Sequence, residues 1–198
     1  MVWVICLGPL THLLYQLQTD DLGANPIRYV THKLGDATLR ILMVCLSLTP
    51  IRLLFGMAWQ MMLRRLLGLF VFFYVSLHFS VWIALDHFFN GKRLLTDIIK
   101  RPYITVGMLG LILLVPLAVT STSWMMKRLG GKNWRRLHKL VYVVGVLGVL
   151  HYLWLVKKGV NTPFGYAAVL IVLLGIRIWN WAKRRHASRT SSSALTVG

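Results

Sequence analysis

Acidic side chains are scarce in this chain. Five aspartates, Asp20, Asp21, Asp36, Asp86 and Asp97, stand against 23 lysines and arginines, for a net charge of +18. Such an excess is a familiar mark of nucleic-acid binding. Its distribution argues against that partner, because the basic residues cluster between apolar segments, where membrane topology alone accounts for them. Cysteine is rarer still. Cys6 and Cys45 both lie in apolar stretches without a CxxC spacing, so two buried free thiols are expected rather than a redox pair or metal site. No basic n-region or A-x-A-like site accompanies Val2–Leu17, which argues against a cleaved signal peptide. No nicotinamide-binding domain is visible, so such a donor would need a separate reductase. No internal repeat is evident.

What is present is apolar surface. At 57% hydrophobic residues and a mean hydropathy of +0.63, the chain is too apolar for an ordinary soluble domain. The pattern predicts an all-α integral membrane protein, a bundle of six transmembrane helices. The spans are Val2–Leu17, Leu39–Trp59, Leu66–Phe89, Tyr103–Val119, Leu140–Val156 and Phe164–Trp181. Pro50, Pro102, Pro116 and Pro163 fall near span ends, where proline costs a helix least. Residues 1–183 form one domain, and 184–198 a basic, disordered tail. Six spans put fourteen basic residues on the side of the termini and nine on the other, together with all five aspartates. The richer side is predicted to be cytoplasmic, with both termini inside and the loops at 20–38, 90–101 and 157–163 outside.

Within these spans the histidines carry the chemistry. The stretch Trp134–Trp154 holds His138 and His151, about 20 Å apart along a helix axis and about 140° apart around it. Imidazole at membrane depth is costly and points to function. Spans three and five run in the same direction, and His78 and His151 lie at similar depths on them. Two histidines from neighbouring helices at one level suit the axial ligands of a six-coordinate b-type haem between helices three and five. The same spacing also fits two histidines that simply hydrogen-bond across a bundle. His138 has three readings: ligand of a second haem with another partner, contact of a cofactor on the inner side, or interfacial histidine. At its matching position on span three stand Arg64 and Arg65, which are not haem ligands. Together with Lys132–Lys139, including Arg135 and Arg136, these residues suit a phosphate, although positive-inside topology explains the same charges. His12, His32 and His87 are weaker candidates, His87 being expected to be solvated at the outer end of span three. His186 is assigned to the solvated tail. Met57, Met61 and Met62 are read as lipid or packing contacts.

Several stretches form a wider pattern: LGANP at 22–26 with His32, RRLLG at 64–68, His78, RPYITVG at 101–107, LAVTSTSWM at 117–125, WxxLHxLVY at 134–142 and HYxW at 151–154. Together they resemble the MsrQ family, formerly YedZ, within the ferric-reductase-like transmembrane group that also contains the NADPH oxidases. The resemblance covers nearly the whole chain after the first span, where the longer basic lead of the family is missing. It implies a subunit of the bacterial inner membrane that carries haem b and FMN and passes electrons outward to MsrP. That partner is a periplasmic molybdopterin enzyme that reduces methionine sulfoxide in oxidised proteins. It implies that His78, His138 and His151 are the family's histidines, and it favours FMN near His138 and the inner arginines. The subunit then does no substrate chemistry itself, and its cofactors carry the electrons. The immediate donor stays open between a separate cytoplasmic flavin reductase and quinol. Two other functions compete: a quinol-oxidising cytochrome b or ferric reductase, and a cofactor-free proton-coupled transporter that uses its histidines for protons.

Overall fold

The computed structural model describes residues 2–19, 22–56, 60–156 and 161–195. Asp20, Asp21, Met57, Lys157 and Lys158 lie outside them, and for Met61 and Met62 only a place on a helix is described. All regular structure among the described residues is helical: α1 (Val2–Gln18), α2 (Pro26–Phe55), α3 (Gln60–Val81), α4 (Gly91–Lys100), α5 (Pro102–Val119), α6 (Ser123–Leu137), α7 (Leu140–Leu155) and α8 (Thr162–Leu195). A short π-helical turn, Trp82–Asp86, extends α3.

Local chemistry sets several of the ends. Asn25 caps α2, its side chain accepting from the Arg28 N–H at 3.1 Å, with Pro26 in the first turn, where the missing N–H costs nothing. Gly56 closes α2 at φ 70°, in the left-handed region that glycine enters freely, and its N–H reaches the Arg52 carbonyl at 2.9 Å. Asn90 and Thr122 cap α4 and α6 in the same way as Asn25. The two stretches expected to be loops at 90–101 and between spans four and five therefore contain helices, because each carries its own start signal. Likewise, much of the expected 20–38 loop is the first three turns of α2, so span two begins at Pro26 and not at Leu39. The tail expected to be disordered continues α8 as far as Leu195. Its sequence up to Arg189 contains arginine, histidine, alanine and serine and neither glycine nor proline, so nothing local stops the helix.

Four helices among the described residues are long and apolar enough to cross a membrane: Pro26–Phe55, Leu63–Asp86, Pro102–Val119 and Thr162–Lys183. A fifth span results if α6 and α7, bent by 44°, count as one. The first expected span, α1, has 17 residues, about 25 Å of helix against a hydrocarbon core of about 30 Å, and is not among these candidates. It still packs into the bundle. Trp3 meets Phe70 edge to face at 5.1 Å, and the fully buried Tyr74 donates its hydroxyl to the Cys6 carbonyl at 2.6 Å. Cys6 and Cys45 are both buried and unbridged, as expected.

Contacts fix the directions of the helices. His78 meets Thr31, and Cys45 meets the Arg64 carbonyl, so α2 and α3 are antiparallel. Tyr103 lies beside His151 and Thr120 beside His138, so α5 is antiparallel to α7. Arg64 reaches Tyr142 while His78 faces His151, so α3 and α7 run the same way. The bundle thus has an acid-bearing end, with Asp36, Asp86 and Asp97, and an arginine end, with Arg64 and Arg177.

Candidate functional site

His78 and His151 face each other from α3 and α7. Their ring centres are 6.3 Å apart and their planes stand at 89°. Each ring has its Nδ1 against a backbone oxygen: His78 on the Thr31 carbonyl at 2.9 Å, His151 on the Tyr103 carbonyl at 2.6 Å. A carbonyl only accepts, so both Nδ1 atoms are protonated and both Nε2 atoms keep a lone pair. This is the arrangement by which proteins orient a metal-ligating histidine.

The two carbonyls are reachable for the same reason. In a helix, the side chain at i+4 leans back over the carbonyl of residue i. Here position i+4 is Gly35 after Thr31 and Gly107 after Tyr103. A Cβ at Gly35 would come 3.2 Å from His78 Cε1, and one at Gly107 would come 2.7 Å from His151 Nδ1. Two glycines on α2 and α5 therefore admit two imidazoles to the backbone. The pattern is present in THKLG and YITVG, but it acquires meaning only when the opposing helix is known.

The imidazoles border a cavity of about 680 Å³ between α2, α3, α5 and α7. His32, ranked low from sequence, also lines it. Among the described residues no group of three or more histidine, cysteine, aspartate or glutamate side chains converges to hold a bare metal ion. Two imidazoles suit a metal that brings its other ligands with it. If each Nε2 stands about 2.0 Å from one metal and each ring centre about 1.1 Å further, the centres fall about 6.2 Å apart, close to the observed separation. His78 and His151 are the residues that would hold an iron porphyrin here.

The other expected residues are divided. His138 sits where α6 meets α7, stacked on Trp134 at 4.0 Å, with its Nε2 3.1 Å from the Thr120 hydroxyl. That hydroxyl donates to the Pro116 carbonyl at 2.6 Å, so it accepts from His138 Nε2–H. His138 therefore has the opposite tautomer to His78 and His151. Arg64 donates to Thr49 Oγ1 at 3.1 Å and to the Tyr142 hydroxyl at 3.1 Å. Arg177 of α8 donates to the same phenol and lies over its ring at 4.1 Å. Two guanidinium groups thus converge on one neutral oxygen. Arg177 was counted from sequence only as topological charge. Its place inside the apolar run LIVLLGIRIWNW was the available signal. Arg65 turns instead to Ser123 at 3.3 Å, and Arg135 and Arg136 are exposed. No hydrogen bond among the described residues joins those three to Arg64. His87, expected to be solvated, is 7% exposed: its Nε2 meets Asp97 at 3.1 Å, and its Nδ1 is 3.6 Å from Asp86. The π turn after α3 folds the ring inward.

Comparison with known proteins settles the family. Residues 34–149 match the model of the ferric reductase like transmembrane component. A protein of Rhodospirillum rubrum is 49% identical over 191 residues, 96% of this chain and 92% of its own length. A protein of Herminiimonas arsenicoxydans is 47% identical over 187 residues, 93% and 86% respectively. Both bear the name protein-methionine-sulfoxide reductase heme-binding subunit MsrQ. The chain belongs to the MsrQ family. A relative in Caulobacter vibrioides with the same name is 44% identical over 96% of this chain and 90% of its own. The matched region contains Gly35, His78, Gly107 and His138 and ends two residues before His151. No solved structure gives a significant match.

Proposed function

We propose that this chain is the haem-binding electron-transfer subunit of a protein-methionine-sulfoxide reductase in the bacterial inner membrane. The carrying observation is the facing pair His78 and His151, each with Nδ1 given to a helix carbonyl and Nε2 left for iron. Haem b, when bound, supplies one-electron transfer at a potential that its axial ligands help to set. The chain holds the two imidazoles in register and fixes their tautomers. With His78 and His151 both on the iron, no position would remain for oxygen, which would suit transfer rather than oxygen chemistry.

The remaining features extend the reading. Six spans with both termini cytoplasmic place the acid-bearing end, and so the histidine pair, toward the periplasm, where a molybdopterin-containing MsrP partner takes the electrons. In this arrangement α1 is a short sixth span, and α4 lies at the outer interface among membrane lipid, with Leu95 and Ile99 exposed. FMN at the arginine end bridges the distance from the cytoplasmic side. Arg64 supports its phosphate together with Arg177, a reading supported by the Tyr142 phenol that the two share and that Arg65, Arg135 and Arg136 do not. A separate flavin reductase or quinol supplies the electrons. The domain limit at residue 183 separates this membrane body from the basic extension.

The test is the visible spectrum of the purified chain with haem and flavin quantified. A low-spin ferrous spectrum that carbon monoxide scarcely alters is expected, and so is its loss in His78→Ala and His151→Ala. A colourless protein would refute the proposal. A full low-spin spectrum in either variant would refute the pairing.

A further inference from the structure

The cavity beside His78 and His151 is not uniform along its length. Toward the arginine end its walls are Leu39, Leu42, Leu114 and Val144. At the acid-bearing end it is lined by Asn25, Arg28, His32 and Lys33 from the start of α2 and by Arg101 from the start of α5. Both helices begin at that end, so their positive N-terminal ends add to the same field. Asp36 and Asp86 line the same end, two acids against the three cations Arg28, Lys33 and Arg101, and each is engaged by another group. Asp36 pairs with Arg40 and accepts from Tyr166 at 2.9 Å, and Asp86 lies 3.6 Å from His87. Arg101 shares one nitrogen with Asp97 at 3.3 Å. Arg28 and Lys33 make no ion pair among the described residues.

A haem b is itself asymmetric, an apolar macrocycle with two carboxylates on one edge. Apolar walls at one end and an excess of cations at the other, Arg28 and Lys33 among them without an ion pair, admit such a molecule in one orientation, because a carboxylate driven among the leucines would lose its hydration without a partner. We infer that the haem carboxylates point to the acid-bearing end of the bundle, where Arg28 and Arg101 bind them, with His32 and Lys33 beside them. The inference rests on the haem reading above and adds to it a binding role for residues that are not iron ligands. Arginine is suited to the task, since its planar fork matches a carboxylate.

The experiment uses the full chain, produced without haem and titrated in detergent with haem b and with haem b dimethyl ester, whose carboxylates are masked. The unaltered chain is expected to bind the free diacid at least about tenfold more tightly than the ester. Arg28→Gln and Arg101→Gln should each reduce that preference, and the double variant should bring it close to one while ester affinity stays within about twofold. The ester reports that the variants fold, and if the double variant binds neither form, the two single variants decide. A preference unchanged in both single variants, or no preference in the unaltered chain, would overturn the assignment while leaving the histidine pair intact. Failure of both haems to give a low-spin spectrum in the unaltered chain would instead bring down the haem reading itself.

Discussion

The two ends of this bundle use histidine in opposite ways. At the acid-bearing end, His78 and His151 donate from Nδ1 to carbonyls on α2 and α5 and line a cavity. At the arginine end, His138 spends its Nε2 proton on Thr120 and its ring face on Trp134. There the converging groups are Arg64 and Arg177, two cations sharing the phenol of Tyr142. A buried histidine is prepared for a metal when the backbone takes one nitrogen and leaves the other uncovered. One tied into a side-chain network is prepared to hold helices together. Membership of one family pattern does not distinguish them; the hydrogen-bond partner does.

The largest effect that would test this contrast is on haem content. His78→Ala or His151→Ala should lower the haem-to-protein ratio severalfold or leave a high-spin iron, whereas His138→Ala should keep nearly all of a low-spin haem. Equal losses in all three, measured by pyridine haemochrome and ferrous spectra, would erase the distinction between the ends.

Next is the backbone access of the rings. Gly107→Ala places a methyl group 2.7 Å from His151 Nδ1 and must displace the ring. A cost of about 1–3 kcal/mol in stability is expected, as for other overpacked sites, with a visible shift of the haem bands. Gly35→Ala, with its closest approach at 3.2 Å, should do the same more weakly. Thermal denaturation and spectra of the two variants check the order. An unaltered Gly107→Ala spectrum would mean that the carbonyl contact does not position the ligand.

At the other end, Arg64→Gln and Arg177→Gln should lower bound flavin about tenfold while haem stays within about twofold, from the loss of one charge-assisted contact each. Arg65→Gln, Arg135→Gln and Arg136→Gln should have smaller effects, because none of them shares Tyr142. Flavin retained in the first pair and lost in the other three would return the phosphate to the loop that sequence favoured. The smallest change is His87→Ala, which should cost about 1 kcal/mol through the lost contact with Asp97, whose carboxylate keeps Arg101, and leave the haem spectrum alone. A spectral change there would connect the π turn to the site.

What was legible beforehand follows from patterns within one helix. Apolar runs long enough to span a bilayer, the depth of His78 and His151 along them and the burial of both cysteines depend on spacing and composition, which a chain carries with it. Segments such as Gly91–Lys100 and Ser123–Leu137 were harder, because their start signals, Asn90 and Thr122, compete with a polar composition that reads as loop. The expected solvation of His87 failed for another reason: its burial depends on Asp97, ten residues away, and on a π turn that no periodicity announces.

The sequence by itself determined that this is an apolar, helical, strongly basic chain of a recognisable family, with two histidines at one depth. Tertiary structure alone decided which nitrogen of each histidine is free, that Gly35 and Gly107 exist to let the rings in, that His32 joins the cavity and that Arg177 joins Arg64. The reason is that hydrogen-bond partners and close approaches belong to pairs of helices. Thr31 and His78 are 47 residues apart, Tyr103 and His151 are 48 apart, and only packing brings each pair within reach.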